Sequence, residues 1–167
     1  MPLFSRWNVA GVWVGEYAYD PSPVWAVLPP PCPFHLTLAA GWFGRITGSV
    51  HDSAVGGPPE SADVRGRLTG TRLTFLKQYP VFTSLDDDGR LVTLREHLAR
   101  QGYDAAPAVL PNPVHYSGEY DPRAEAIRGR WHLDTQHVYF RHNGQQLYVT
   151  FPGTTGTWSA ERRDTAL

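Results

Sequence analysis

Four stretches of the chain set a small residue and a large one at alternating positions. They read Gly11-Val12-Trp13-Val14-Gly15-Glu16-Tyr17, Tyr116-Ser117-Gly118-Glu119-Tyr120, Ile127-Arg128-Gly129-Arg130-Trp131 and Gly156-Thr157-Trp158-Ser159-Ala160-Glu161-Arg162. Strand side chains alternate between two faces, so the glycines and the rings share one side. Bare Cα positions on an inner face let strands coil sharply and let rings fold over them. That combination closes a sheet into a small barrel, and closure removes the sheet edges. The stretches are unequally spaced, so they are not tandem repeats.

The rest of the chain fits the same plan. Phe34, Leu36 and Leu38 alternate with His35 and Thr37. Ile46, Gly48 and Val50 alternate with Arg45, Thr47, Ser49 and His51. Val64, Gly66 and Leu68 alternate with Arg65, Arg67 and Thr69. Leu73, Phe75, Lys77 and Tyr79 share a parity before Pro80. Asn143-Gly144 is a two-residue hairpin loop between the runs His137 to His142 and Gln145 to Phe151. Proline-rich residues 21–33 and Gly/Pro-rich residues 53–61 read as loops. Sixteen glycines and fifteen prolines punctuate these short runs. The expectation is an all-β chain: one domain over 1–167, a single antiparallel meander β-barrel of about eight to ten strands.

Residues 81–112 interrupt the alternation. Leu91, Leu94 and Leu98 have helical spacing, with Asp86, Asp87 and Asp88 ahead of them and Gly102 as a stop. A short helix over about 90–101 is predicted, either as a core plug or as a lid over one end of the barrel. The acidic triplet suits a helix N-terminus. A calcium loop is rejected: with Gly89 as its glycine, the final bidentate ligand would be Arg95.

Gly11-Val12-Trp13 on the first strand resembles the Gly-x-Trp signature of the calycin superfamily, which comprises lipocalins, fatty-acid-binding proteins and avidins. The run from Tyr116 to Trp131 resembles an avidin-type meander. The resemblance implies an arginine of the last strand packed across the tryptophan, with Arg162 or Arg163 as the candidate. Arg162 shares the parity of Trp158. The helix-bearing insert and the proline-rich loop depart from the pattern, and biotin itself is not implied. The binding of a small, mostly apolar or amphipathic ligand in the barrel is the leading functional expectation. An enzyme using Lys77 or a tyrosine as acid, base or clamp, and a protein-interaction module, are the alternatives.

The site expected from the sequence is Tyr17, Lys77 and Tyr79 at one mouth of the barrel. Leu91, Leu94 and Leu98 would roof it, facing inward. Trp13, Trp131 and Trp158 would fill the closed end, and Tyr120 would lie away from the mouth. Lys77 is the sole lysine beside fourteen arginines. Its preferred placement is the rim, where the ammonium reaches water over an apolar stem. Placed inside, it needs a partner and would suit a carboxylate or phosphate ligand.

Several classes are excluded or disfavoured. One cysteine, Cys32, rules out an internal disulfide framework. A net charge of −1 gives no reason to expect nucleic acid. The outward-parity arginines (Arg45, Arg65, Arg67, Arg72, Arg128 and Arg130) are interleaved with Glu16, Asp63 and Glu119. No apolar run approaches membrane-spanning length. His132, His137 and His142 have no metal-site spacing, so neither metal nor cofactor is expected. Gly-x-Ser-x-Gly, phosphate-loop and dinucleotide motifs are absent, so catalysis is the weaker class. No basic-then-apolar leader opens the chain, so a cytoplasmic location is expected. Homo-oligomerisation stays open.

Overall fold

The structure is a computed structural model that describes residues 8–53, 60–85, 88, 90–104 and 109–163. In chain order the elements are β1 (Gly11–Tyr19), β2 (Cys32–Ala40), β3 (Arg45–Asp52), β4 (Ala62–Thr69), β5 (Arg72–Gln78), β6 (Thr83–Leu85) and β7 (Leu91–Thr93). Then come α1 (Leu94–Arg100), β8 (Val114–Asp121), β9 (Ala126–Leu133), β10 (Gln136–His142), β11 (Gln145–Phe151) and β12 (Thr154–Arg162). Eight strands close a barrel in the order β1-β12-β9-β8-β5-β4-β3-β2, every pair antiparallel. The hairpin β10–β11 and the pair β6–β7 are separate two-stranded sheets. The chain is therefore an all-β meander with one short helix, interrupted by excursions over 79–113 and 134–153.

Alternating parity builds the barrel wall. In β2, Cys32, Phe34, Leu36 and Leu38 are buried between exposed neighbours, and in β5 Leu73, Phe75 and Lys77 are buried in alternation with exposed Arg72, Thr74 and Leu76. The glycines do what their parity predicts. A methyl group on Gly118 would come 2.8 Å from Trp158 Cζ2, and one on Gly156 would come 2.5 Å from Trp131 Nε1. Rings occupy the volume that side chains there would need.

The three tryptophans do not gather at one end, which corrects the expectation of a closed end filled by all three. Trp13 packs edge-on against Tyr120, with centroids 5.8 Å apart. Trp158 packs against Phe34, Phe75 and Tyr116. Trp131 packs against Tyr17 and Tyr19. The antiparallel register explains this spread: β9 begins beside the end of β12, so Trp131 lies far from Trp13 along the axis.

Strand direction sorts the connections. Tight links at 41–44, 70–71 and 122–125 sit at one end, with positive φ at Phe43, Gly44, Gly70 and Glu125. The links at 20–31 and 53–61 and both excursions leave from the other end. Residues 54–59 of the expected Gly/Pro-rich loop lie outside the described residues.

The helix starts later than expected. Thr93 is its N-cap, and Thr93 and Glu96 form a reciprocal capping box. Asp86 and Asp87 lie outside the described residues, and the acidic residue of the first turn is Glu96. Gly102, at φ 83°, ends the helix, with Tyr103 N–H donating to Leu98 O. Leu94 and Leu98 are buried, but not against the barrel interior. They form a second core with Val138 and Phe140 of the β10–β11 hairpin. The inward-facing lid is thereby corrected: helical spacing shows which face is buried, not what it meets. The side chain of Leu91 lies outside the described residues. None of the described helices is long and apolar enough to cross a membrane.

Candidate functional site

β1, β3 and β5 all finish at the end of the barrel that carries the long connections. Tyr17 comes from β1, Asp52 from β3, Lys77 from β5 and Tyr79 from just beyond it. Lys77 is only 1% exposed and Asp52 only 5%. The lysine is inside, which corrects the preferred rim placement. Nζ donates to Asp52 Oδ1 at 2.7 Å and to Oδ2 at 2.9 Å. The Tyr79 hydroxyl donates to the same Oδ2. The rings of Tyr17 and Tyr79 flank the ammonium, with centroids 5.0 and 4.8 Å away.

The residue types follow from the distances. β4 lies between β3 and β5, and Val64 aligns Lys77 with Gly48, so Asp52 starts two strands away and four residues further along β3. That offset needs a long side chain, and the four-carbon stem of Lys77 brings its ammonium to the carboxylate. Asp52 was not singled out in the sequence, yet its parity with Ile46, Gly48 and Val50 carries the signal. Parity says that the carboxylate points inward. Only the closed topology shows that it meets Lys77.

Burial pushes the Lys77 ammonium below its ordinary value, and the Asp52 carboxylate opposes this. Burial raises the phenols of Tyr17, Tyr79 and Tyr116 far above theirs, and Asp52 adds to each. The phenols therefore stay protonated as hydrogen-bonding groups. Because Asp52 neutralises Lys77, the lysine offers a ligand no free charge.

Tyr17 and Tyr79 also line a cavity of about 460 Å³ between the barrel end and the two excursions. Its other walls include Tyr19, Trp25, Phe82, Leu133 and Phe151. The Gln136 side chain ties the excursions together beside it. It accepts from Asn112 N–H at 2.7 Å and donates to Leu110 O at 2.9 Å. Trp25 carries a buried indole N–H with no hydrogen-bond partner among the described residues. Leu94 and Leu98 brace the roof from behind, through the second core, and do not line the cavity.

At the opposite end the Arg162 guanidinium lies 4.9 Å from the Trp13 ring centre. It also donates to Ala10 O at 2.9 Å and Asn8 O at 2.6 Å. Gly11, at φ 134°, lets the chain enter β1 beside it. Trp13 Nε1 donates to Val9 O at 2.9 Å. This cluster fastens the first and last strands, far from the cavity.

The three histidines considered from the sequence do not converge. His137 bonds Thr150 on the hairpin, and His142 packs on Tyr103. His132 faces His115 instead, a cross-strand partner that linear spacing cannot reveal. No family model matches this chain, and no curated protein matches it.

Proposed function

We propose that the protein is a calycin-like binding protein that holds a small, mostly apolar, uncharged ligand without turning it over. The cavity at the long-connection end is the observation that carries this reading. Its volume, about 460 Å³, falls within the range of small-molecule pockets. Its walls are mainly aromatic and aliphatic, with a few tyrosine, amide and indole groups to orient a ligand. The stacking of Arg162 on Trp13 supports the calycin reading, because it is the contact that the Gly-x-Trp resemblance implies.

A neutral ligand follows from the pairing of Lys77 with Asp52, since an anion would have to compete with a carboxylate already in contact. Catalysis by a tyrosine base is disfavoured, because burial keeps these phenols protonated. The unpartnered indole N–H of Trp25 favours a ligand with an acceptor oxygen.

Native mass spectrometry of the protein as purified, followed by a thermal-shift panel of neutral amphipathic compounds, tests the reading. A binder raises the apparent melting temperature by mass action. Val81→Trp, which fills the cavity from the first excursion, should abolish that shift while the unliganded melt stays close to wild type. A stabilising compound whose shift survives Val81→Trp, or a panel without any stabiliser, would overturn the proposal.

A further inference from the structure

We infer that His115, His132 and Asp134 form a binding site for a borderline divalent transition-metal cation of the zinc class. His115 on β8 and His132 on β9 are direct cross-strand partners. Both side chains are on the outside of the barrel. Their rings stack in parallel, 4.5 Å between centroids and 4° between planes. Asp134 follows β9 by one residue and turns its carboxylate to both. His115 Nε2 lies 3.8 Å from Asp134 Oδ2, and His132 Nε2 lies 3.9 Å from Oδ1. One ligand atom from each of the three residues falls within 4.8 Å of the others. Among the described residues this is the sole such group of three or more.

Chemistry and geometry agree on the ion class. Two imidazoles and one carboxylate suit zinc, cobalt, nickel or copper, whereas calcium and magnesium prefer all-oxygen shells. A tetrahedral site with bonds of about 2.0–2.1 Å needs donors about 3.3–3.4 Å apart. The observed separations exceed this by about an ångström or less at the nearest pairs. All three side chains are at least 40% exposed, so small rotations close that gap without moving the strands. The backbone beneath them is held: Asn112 Nδ2 donates to Asp134 O and Thr135 O, each at 3.4 Å. Three protein ligands leave a coordination position for water or another donor.

The site is distinct from the proposed ligand cavity but adjoins it, since Asp134 also lines that cavity. It does not depend on the binding-protein reading. The test is calorimetric titration of tag-free protein with zinc chloride, with cobalt chloride as a spectroscopic probe. One equivalent should bind per chain. His115→Ala, His132→Ala and Asp134→Asn should each weaken binding by more than about tenfold. His35→Ala, which removes one member of the other cross-strand histidine pair, His35 and His51, should leave it unchanged. Imidazole NMR of the unmodified protein gives a readout independent of variant folding: zinc should move the His115 and His132 resonances before those of His35 and His51. Absence of saturable binding overturns the site. So does binding that survives all three substitutions, or that is lost in His35→Ala but kept in His115→Ala.

Discussion

Lys77 shows how much a single residue type can reveal. The chain uses arginine for fourteen of its fifteen Lys and Arg side chains, and among the described residues its one lysine is the one that is buried. An ammonium has three donors to satisfy, whereas a guanidinium has five in a rigid plane. Asp52 takes two of those donors from Lys77. Lys77→Arg should therefore destabilise the barrel by about 1–3 kcal/mol despite keeping the charge, through overpacking and unmet donors. Asp52→Leu or Lys77→Met should each cost about 3–5 kcal/mol, because either leaves an uncompensated buried charge. The double replacement Asp52→Leu with Lys77→Met should cost much less than the sum, and urea unfolding of the four proteins measures the coupling. The tyrosines set an alkaline limit. Their folded pKa values are raised, so the stability they contribute is complete below the unfolded phenol value of about 10 and is lost above it. Lys77 acts in the opposite sense: between its lowered folded value and its ordinary 10.5, the unfolded chain holds the extra proton and stability rises with pH. Three phenols outweigh one ammonium, so the melting temperature should fall above about pH 10. Tyrosinate absorbance from these residues should appear only with unfolding.

Elements were more legible than their partners. Alternating parity marks the strands, and the small-large alternation of β1, β8, β9 and β12 points to a closed barrel, but parity does not tell the β10–β11 hairpin from the barrel wall. The stop at Gly102 was equally local. The partner of the helix was not: Leu94 and Leu98 declare a buried face, but barrel mouth and hairpin are both apolar surfaces. Tyr17 and Tyr79 meet at one end of the barrel, which alternating strand direction gives by counting alone. Asp52, Trp25 and the roof from β10–β11 depend on contacts between distant segments. The two cores make a prediction at this scale. Leu98→Ala should cost the second core about 2–5 kcal/mol. Hydrogen exchange should accelerate in α1 and β10–β11 while the barrel amides keep their protection.

The whole molecule is a barrel with its variable parts at one end. Among the described residues, none of either excursion, beyond Tyr79 and before Val114 or from Asp134 to Gly153, belongs to the barrel core. β5 pairs directly with β8, and β9 with β12, without help from the intervening chain. Replacing 80–112 and 134–153 together by short glycine-rich links should leave a folded β-barrel by circular dichroism and remove the cavity. A chain that fails to fold would show that the second core is part of the same cooperative unit.

The seam between β1 and β12 has a consequence in time. Arg162 reaches back to Ala10, 152 positions earlier, to fasten it. Until β12 has been made, β1 can pair with β2 along one side only, and its other edge waits unpaired. Closing so long a loop has an entropic cost that contacts repay only once the seam zips shut, so closure comes late. Weakening the seam by Arg162→Lys should therefore speed unfolding and leave the folding rate nearly unchanged, as stopped-flow kinetics would resolve. Within the barrel, the order of synthesis and the order of closure coincide: the last barrel strand to emerge is the one that turns an open ribbon into a ring.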